Sequence, residues 1–89
     1  MPRIEQEVMI ANKFGLHARP AMQFVELANS FTCGIEVAKG SLVVDAKSIM
    51  SVMRLAATKG TTLKITADGD DAAEAIEALC GLVNSGFGE

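Results

Sequence analysis

Tryptophan and tyrosine are absent from this 89-residue sequence, histidine occurs once and cysteine twice. With four phenylalanines as the only aromatics, the chain lacks a base-stacking platform for single-stranded nucleic acid. Cations are the minority: eight Lys and Arg against eleven Asp and Glu give a formal net charge of −3, the wrong sign for general binding to a phosphate backbone. Cys33 and Cys80 form no C-x-x-C pair and have no histidine partners for a zinc site, so neither a metal centre nor a disulfide framework is expected. No apolar run is long enough to cross a bilayer, and Met-Pro-Arg-Ile-Glu-Gln-Glu at the start lacks the apolar stretch of a signal peptide. These absences predict a soluble chain in a reducing, cytoplasmic setting. They also concentrate the chemistry. Histidine is the side-chain type that titrates near neutrality, so imidazole chemistry of any kind must pass through His17.

What is present is a folding composition. Apolar residues make up 49% and charged residues 21%, which argues against disorder. The length predicts one domain, residues 1–89, with a modest core that buries about 60–65% of the unfolded surface.

Periodicity supplies the elements. Ile4, Val8 and Ile10 alternate with Glu5 and Glu7, a half-buried strand over Arg3 to Ala11. After Asn12-Lys13-Phe14-Gly15, helical spacing of Ala18, Ala21, Met22, Val25 and Ala28 predicts a first helix that ends near Asn29 or Ser30. Cys33, Ile35 and Val37, then Lys39-Gly40-Ser41, then Leu42 to Ala46 read as a β-hairpin. A second helix is expected from Ser48 through Leu55 or slightly beyond, with Ile49, Val52, Met53 and Ala56 inward and Gly60 as its stop. Leu63, Ile65 and Ala67 alternate with Lys64 and Thr66 in a fourth strand. Asp70, Asp71 and Glu74 then open a third helix with Ala72, Ala75, Ile76, Leu79 and Val83 inward. The order β-α-β-β-α-β-α predicts an α+β fold, three helices on one face of a four-stranded antiparallel sheet.

The segment with chemical content is Gly15-Leu16-His17-Ala18-Arg19-Pro20-Ala21. Pro20 suits a first helical turn, where its missing N–H costs nothing, so His17 falls at the mouth of the first helix. A helix N-terminus favours a neutral, nucleophilic ring and then stabilises an anionic group attached to it. Backbone N–H groups of Ala18 and Arg19, and the Arg19 guanidinium, are the expected phosphate donors. A lone histidine in this position is otherwise more often a cap or a satisfied surface group.

This seven-residue run resembles the active-site signature of the HPr family, the histidine-containing phosphocarriers of the bacterial phosphotransferase system. Lys47-Ser48-Ile49-Met50, Lys59-Gly60 and the element order extend the resemblance over nearly the whole chain. The resemblance implies an open-faced β-sandwich. It implies that His17 accepts a phosphoryl group on Nδ1 from phospho-enzyme I and passes it to an enzyme IIA domain, with Arg19 assisting. It implies a carrier rather than an autonomous enzyme, with no metal, no cofactor and a monomeric state. It also implies that Ser48 is a regulatory phosphosite where an HPr kinase/phosphorylase and a downstream regulator exist. From the residues alone, Ser48 is a helix cap.

Phe14, Met22, Lys47, Ile49, Met50 and Met53 are the candidate partner-binding residues, methionine offering adaptable contacts; Met22, Ile49 and Met53 are equally spaced for ordinary packing. Residues 12–60 hold Lys13, Arg19, Lys39, Lys47, Arg54 and Lys59 against Glu26, Glu36 and Asp45, so this half is expected to draw acidic partners; Lys39 and Lys64 read as solvated charges. Asn12-Lys13-Phe14 and Asn84-Ser85-Gly86-Phe87 look similar to the nitrogen-related branch, NPr. Lys47-Ser48-Ile49-Met50 resembles the sugar branch, while Glu26, Asn29 and Ala56 depart from it. The remaining alternative is a binding module that works through phospho-Ser48.

Overall fold

Which face of the sheet meets the core follows from side-chain alternation. The computed structural model describes residues 2–89. Its strands are β1 (Arg3–Met9), β2 (Gly34–Lys39), β3 (Leu42–Asp45) and β4 (Thr62–Asp68), and its helices α1 (Ala18–Asn29), α2 (Ile49–Met53) and α3 (Ala72–Asn84). The strands form one antiparallel sheet in the order β1-β4-β2-β3. Val8 opposes Leu63, Val37 opposes Ile65 and Val44, and all five are buried in a core shared with α1 and α3. The other face carries Glu5, Glu7, Lys64 and Glu36. Thr66, in register with both Glu5 and Glu36, is covered on that polar face instead of exposed. The α+β architecture expected from periodicity is present, in the expected order.

The differences lie in helix faces and ends. β1 stops at Met9 rather than Ala11, although Ile10 still exchanges backbone bonds with Thr61 and Gly60. On α1, Ala18 and Met22 are exposed, and the buried stripe is Pro20, Ala21, Phe24 and Ala28. Phe24 is fully buried, and an aromatic side chain so placed is worth about 3–5 kcal/mol on truncation. α2 is shorter than expected. It buries Val52 and, just beyond its end, Leu55, while Ile49, Met53 and Ala56 face outward. It unwinds at Ala56, where the chain turns left-handed (φ 47°), four residues before Gly60. Ala56 thus occupies a position that suits glycine.

α3 buries the expected stripe plus Cys80. Asp71, at its N-cap position, makes no side-chain cap bond. Its carboxylate accepts from the Thr32 N–H (2.8 Å), the Thr32 hydroxyl (3.3 Å) and the Cys33 N–H (2.9 Å), tying the α1–β2 connection to α3. Gly69 completes the junction: at φ +150° a Cβ there would lie 2.7 Å from that of Cys33. Burial pushes the Cys33 thiol up to about 11, so it is a packed, unreactive group.

The Thr32 N–H is the main reason the Asp71 carboxyl sits at about 2, below its ordinary 3.8. A depressed carboxylate stabilises the fold above its unfolded value and loses that contribution as pH falls through the folded one. The urea midpoint should therefore drop between about pH 4 and pH 2, and Asp71→Asn should be less stable at neutral pH and show a flatter acid limb. Parallel acid limbs for variant and wild type would refute this role.

Candidate functional site

The loop between β1 and α1 is built against the loop that follows α2. Gly15 has φ +65°, and a Cβ on it would stand 2.3 Å from the Ala57 carbonyl oxygen and 2.8 Å from the Thr58 Cα. That same carbonyl accepts the Leu16 N–H at 2.9 Å. The side chain of Leu16 enters the core, and the next residue is delivered to the start of α1.

His17 is the N-cap of α1, in an extended conformation (φ −75°, ψ −176°), and its carbonyl accepts the Ala21 N–H at 3.0 Å. Its ring does not cap the helix. Pro20 falls at the third helical position, so its absent N–H is one that would have had no intrahelical acceptor. The Ala18 and Arg19 N–H groups in the same turn have none either. Arg19 is exposed and in no ion pair within 4 Å among the described residues.

One expected feature of the imidazole surroundings is present and one was not foreseen. The Phe14 ring meets the His17 ring edge-on, with centroids 6.1 Å apart, and the Lys13 ammonium lies 5.3 Å from the Phe14 centroid. The His17 Nε2 lies 2.8 Å from Oε2 of Glu89. Glu89 reaches it because the 3-10 turn Gly86–Gly88 is anchored by buried Phe87. Oε1 of the same carboxylate accepts from the Asn12 amide at 3.0 Å, and Asn12 also donates to the Gly15 carbonyl at 2.8 Å. Both partners of the amide nitrogen are acceptors, which settles the amide orientation; its buried Oδ1 has no partner among the described residues. Asn12 is the first cause, and His17 a further one, holding the Glu89 carboxyl below the usual range. Neither Asn12 nor Glu89 stood out as a site residue in the sequence. The Asn-x-x-Gly spacing hints at a local Asx-type bond, but nothing in the sequence places residue 89 next to residue 17.

Ser48 is the N-cap of α2, and its hydroxyl accepts the Ser51 N–H at 3.3 Å. α2 packs beside α1. Phe14, Met22, Ile49, Met50 and Met53 are all exposed, Met50 by 79% and Phe14 by 69%, so the packing role open to Met22, Ile49 and Met53 is not the one they have. Lys47 is different. Its ammonium donates to the Phe31 carbonyl at 2.7 Å, and its own carbonyl accepts from the Asn29 amide at 3.0 Å, so it straps the end of α1 to the approach of α2. Lys39 is likewise not free: it donates to the Leu55 carbonyl at 3.0 Å. Lys64 lies 3.8 Å from Glu5. Among the described residues, no cluster of His, Cys, Asp and Glu is arranged to hold a metal, and no helix is long and apolar enough to cross a membrane.

Comparison with known proteins identifies the family and the fold. A family model described as the PTS HPr component phosphorylation site matches residues 4–85. Phosphocarrier protein HPr of Neisseria meningitidis is 45% identical over 86 residues, 97% of either chain. Phosphocarrier protein NPr of Shewanella violacea is 36% identical over 89 residues, covering 100% of this chain and 98% of its own. The crystal structure of HPr from Thermoanaerobacter tengcongensis superposes with a TM-score of 0.93 at 49% identity, covering 97% of both chains.

The backbone contact at Gly15 is testable without any partner. Gly15→Ala combines left-handed backbone strain with a clash against backbone atoms and should cost roughly 2–4 kcal/mol. Chemical denaturation measures the loss, and the His17 ring resonances should shift with it. A variant as stable as the parent would show that the loop relaxes away from Ala57.

Proposed function

The chain belongs to the HPr family of phosphotransferase-system phosphocarriers, and from that premise we propose that His17 takes a phosphoryl group from phospho-enzyme I and gives it to an enzyme IIA domain. The observation that carries the reading is the position of the sole imidazole: an N-cap ring left out of capping, side chain 40% exposed, beside free N–H groups of the first turn. Phosphoryl transfer passes through a loose transition state whose charge spreads over three oxygens, so a transfer site works chiefly by position and electrostatics. Here the ring nitrogen supplies the acceptor, the Ala18 and Arg19 N–H groups and the Arg19 guanidinium face the oxygens, and each partner supplies the rest. The helix dipole alone contributes about 0.3–1 kcal/mol, so several directed donors matter more. The reading calls on no metal, nucleotide or other cofactor held by this chain, and places a monomer of one domain in the cytoplasm.

The exposed side chains of Phe14, Met22, Ile49, Met50 and Met53 form the docking surface in this proposal, with Lys47 shaping it through its strap to Phe31. Ser48 is a second, regulatory position. A phosphate there would set a double charge between the strap and the two apolar side chains that follow, weakening docking while leaving the fold intact. What favours this is that Ser48 adjoins Ile49 and Met50, which are open to solvent. Whether the partners are those of the sugar branch or the nitrogen branch is the finer choice. The sugar-type reading rests on Lys47-Ser48-Ile49-Met50 and the nitrogen-type on Asn12-Lys13-Phe14 and Asn84-Ser85-Gly86-Phe87.

Incubation with phosphoenolpyruvate and each type of purified enzyme I tests the carrier and its branch together: an acid-labile phosphate should appear on His17 with the cognate enzyme I and be lost in His17→Ala. Normal labelling of that variant would overturn the assignment. Ser48→Asp should slow acceptance from enzyme I by roughly tenfold, a change of about 1.4 kcal/mol in the barrier, with an unchanged circular dichroism spectrum. Acceptance at the wild-type rate would remove the regulatory reading.

A further inference from the structure

In an edge strand every second residue turns its backbone N–H and C=O away from the sheet. On β1 the parity is fixed at both ends. The Pro2 carbonyl accepts the Gly69 N–H at 2.9 Å, and the Ile10 N–H donates to the Thr61 carbonyl at 2.9 Å. Even-numbered residues therefore bond to β4, and Arg3, Glu5, Glu7 and Met9 turn outward. No loop or helix bonds their backbone groups among the described residues. The opposite edge is nearly closed: β3 has four residues, only Val43 and Asp45 turn outward, and the Asp45 carbonyl already accepts the Ser48 N–H at 3.3 Å.

Beneath the open edge runs a groove of about 440 Å³ between β1 and α3, with Ile4 and Gln6 on one wall and Ile76, Glu77, Cys80 and Gly81 on the other. It shares no residue with the hollow around His17. Gly81 is the informative member. Glycine inside a helix costs stability relative to alanine, yet Gly81 sits within α3 and a Cβ on it would meet nothing within 4 Å. No contact inside the chain calls for glycine there. What the missing side chain provides is room on the groove wall.

A strand laid antiparallel along β1 would bond to the outward-turned residues, and alternation then fixes where its side chains go. Those opposite Glu5 and Glu7 would stand on the open face of the sheet, beside two carboxylates. Those opposite Ile4 and Gln6 would point into the groove, whose far wall carries Glu77. Glu5 is shared with Arg3 and Lys64, whereas Glu7 and Glu77 are in no ion pair among the described residues. A second copy of β1 is a poor occupant, because antiparallel registers centred on Glu5, Gln6 or Glu7 all set glutamate against glutamate. We propose that the β1 edge and the groove beneath it dock an extended segment of a partner protein in which basic and apolar residues alternate. That segment joins the sheet as an added strand, its basic side chains meeting Glu5 and Glu7 and its apolar ones filling the groove beside Gly81.

The probe is a seven-residue peptide, the length of β1, in which lysine alternates with valine. Added to the nitrogen-15-labelled protein, it should slow exchange of the Glu5 and Glu7 amide hydrogens roughly tenfold. The Gln6 and Val8 amides, already bonded to β4, should exchange as before. A peptide with glutamate in place of lysine should change nothing. Glu7→Lys combined with Glu77→Lys should weaken binding of the lysine peptide roughly tenfold. Gly81→Ala should also weaken it while raising the urea midpoint of the protein alone. Protection that falls on other amides, equal binding of the glutamate peptide, or unweakened binding by the double variant would overturn the proposal. So would protection of Glu5 and Glu7 that rises with protein concentration alone, which would assign the edge to a second copy. A Gly81→Ala variant that lost stability, or bound the peptide as tightly as the parent, would overturn the part given to the groove.

Discussion

Everything about the His17 site depends on one carbonyl oxygen. Ala57 presents it to the β1–α1 loop, where it accepts the Leu16 N–H and sits where any side chain at position 15 would begin. A glycine in the left-handed region is the residue that can satisfy both demands. That contact fixes the level at which α1 starts, and the start of α1 is what puts His17 at a helix mouth with unpaired N–H groups beside it. The contact also couples the site to α2, since Ala57 follows directly on the left-handed turn at Ala56 that ends that helix. The loop bearing the imidazole and the loop below α2 are therefore one joint, although Leu16 and Ala57 stand 41 positions apart in the sequence.

The sheet and its register were legible because a period of two admits one buried face, and Val8, Val37, Leu63 and Ile65 leave no ambiguity about which. The α3 stripe was equally plain. The α1 face was harder. Met22 lies four residues from Ala18 and three from Val25, and Phe24 three from Ala21 and four from Ala28, so helical spacing accommodates either; the structure buries the larger, stiffer ring and leaves the methionine in solvent. α2 misled for another reason: five residues give too few turns for periodicity to decide, and its end is set by Ala56 adopting a conformation that alanine disfavours. At the site, His17, Arg19 and Pro20 form a contiguous run that declares itself. Glu89 and Asn12 do not, because their role arises from a contact across 72 and 77 positions of sequence, and no local pattern encodes such proximity.

The cations also divide in a way that counting conceals. Residues 12–60 hold an excess of basic side chains, but Lys39 and Lys47 spend theirs on the Leu55 and Phe31 carbonyls. Each sits where a chain leaves a helix and carbonyl groups lack partners. Their first task is to hold α1, α2 and the hairpin together, and the positive potential they add to the surface is secondary. Arg19, Lys13, Arg54 and Lys59 remain exposed. The expected attraction of acidic surfaces thus rests on fewer free charges than the composition suggests, and more on their placement around the helix mouth.

A carrier must release what it accepts, so a site that bound the phosphoryl group with many fixed ligands would defeat its purpose. The geometry here is correspondingly sparse. One ring nitrogen is open, the first-turn N–H groups are few because Pro20 contributes none, and Arg19 is exposed and in no ion pair among the described residues. The groups that are rigid lie behind the ring: Gly15 against Ala57, Asn12 across to Glu89, and Phe87 under the turn. In the proposed carrier, rigidity on the inner side would preserve the aim of the imidazole through repeated transfers. Openness on the outer side would, on the same proposal, leave completion of the transfer site to a partner docked on the apolar side chains around it.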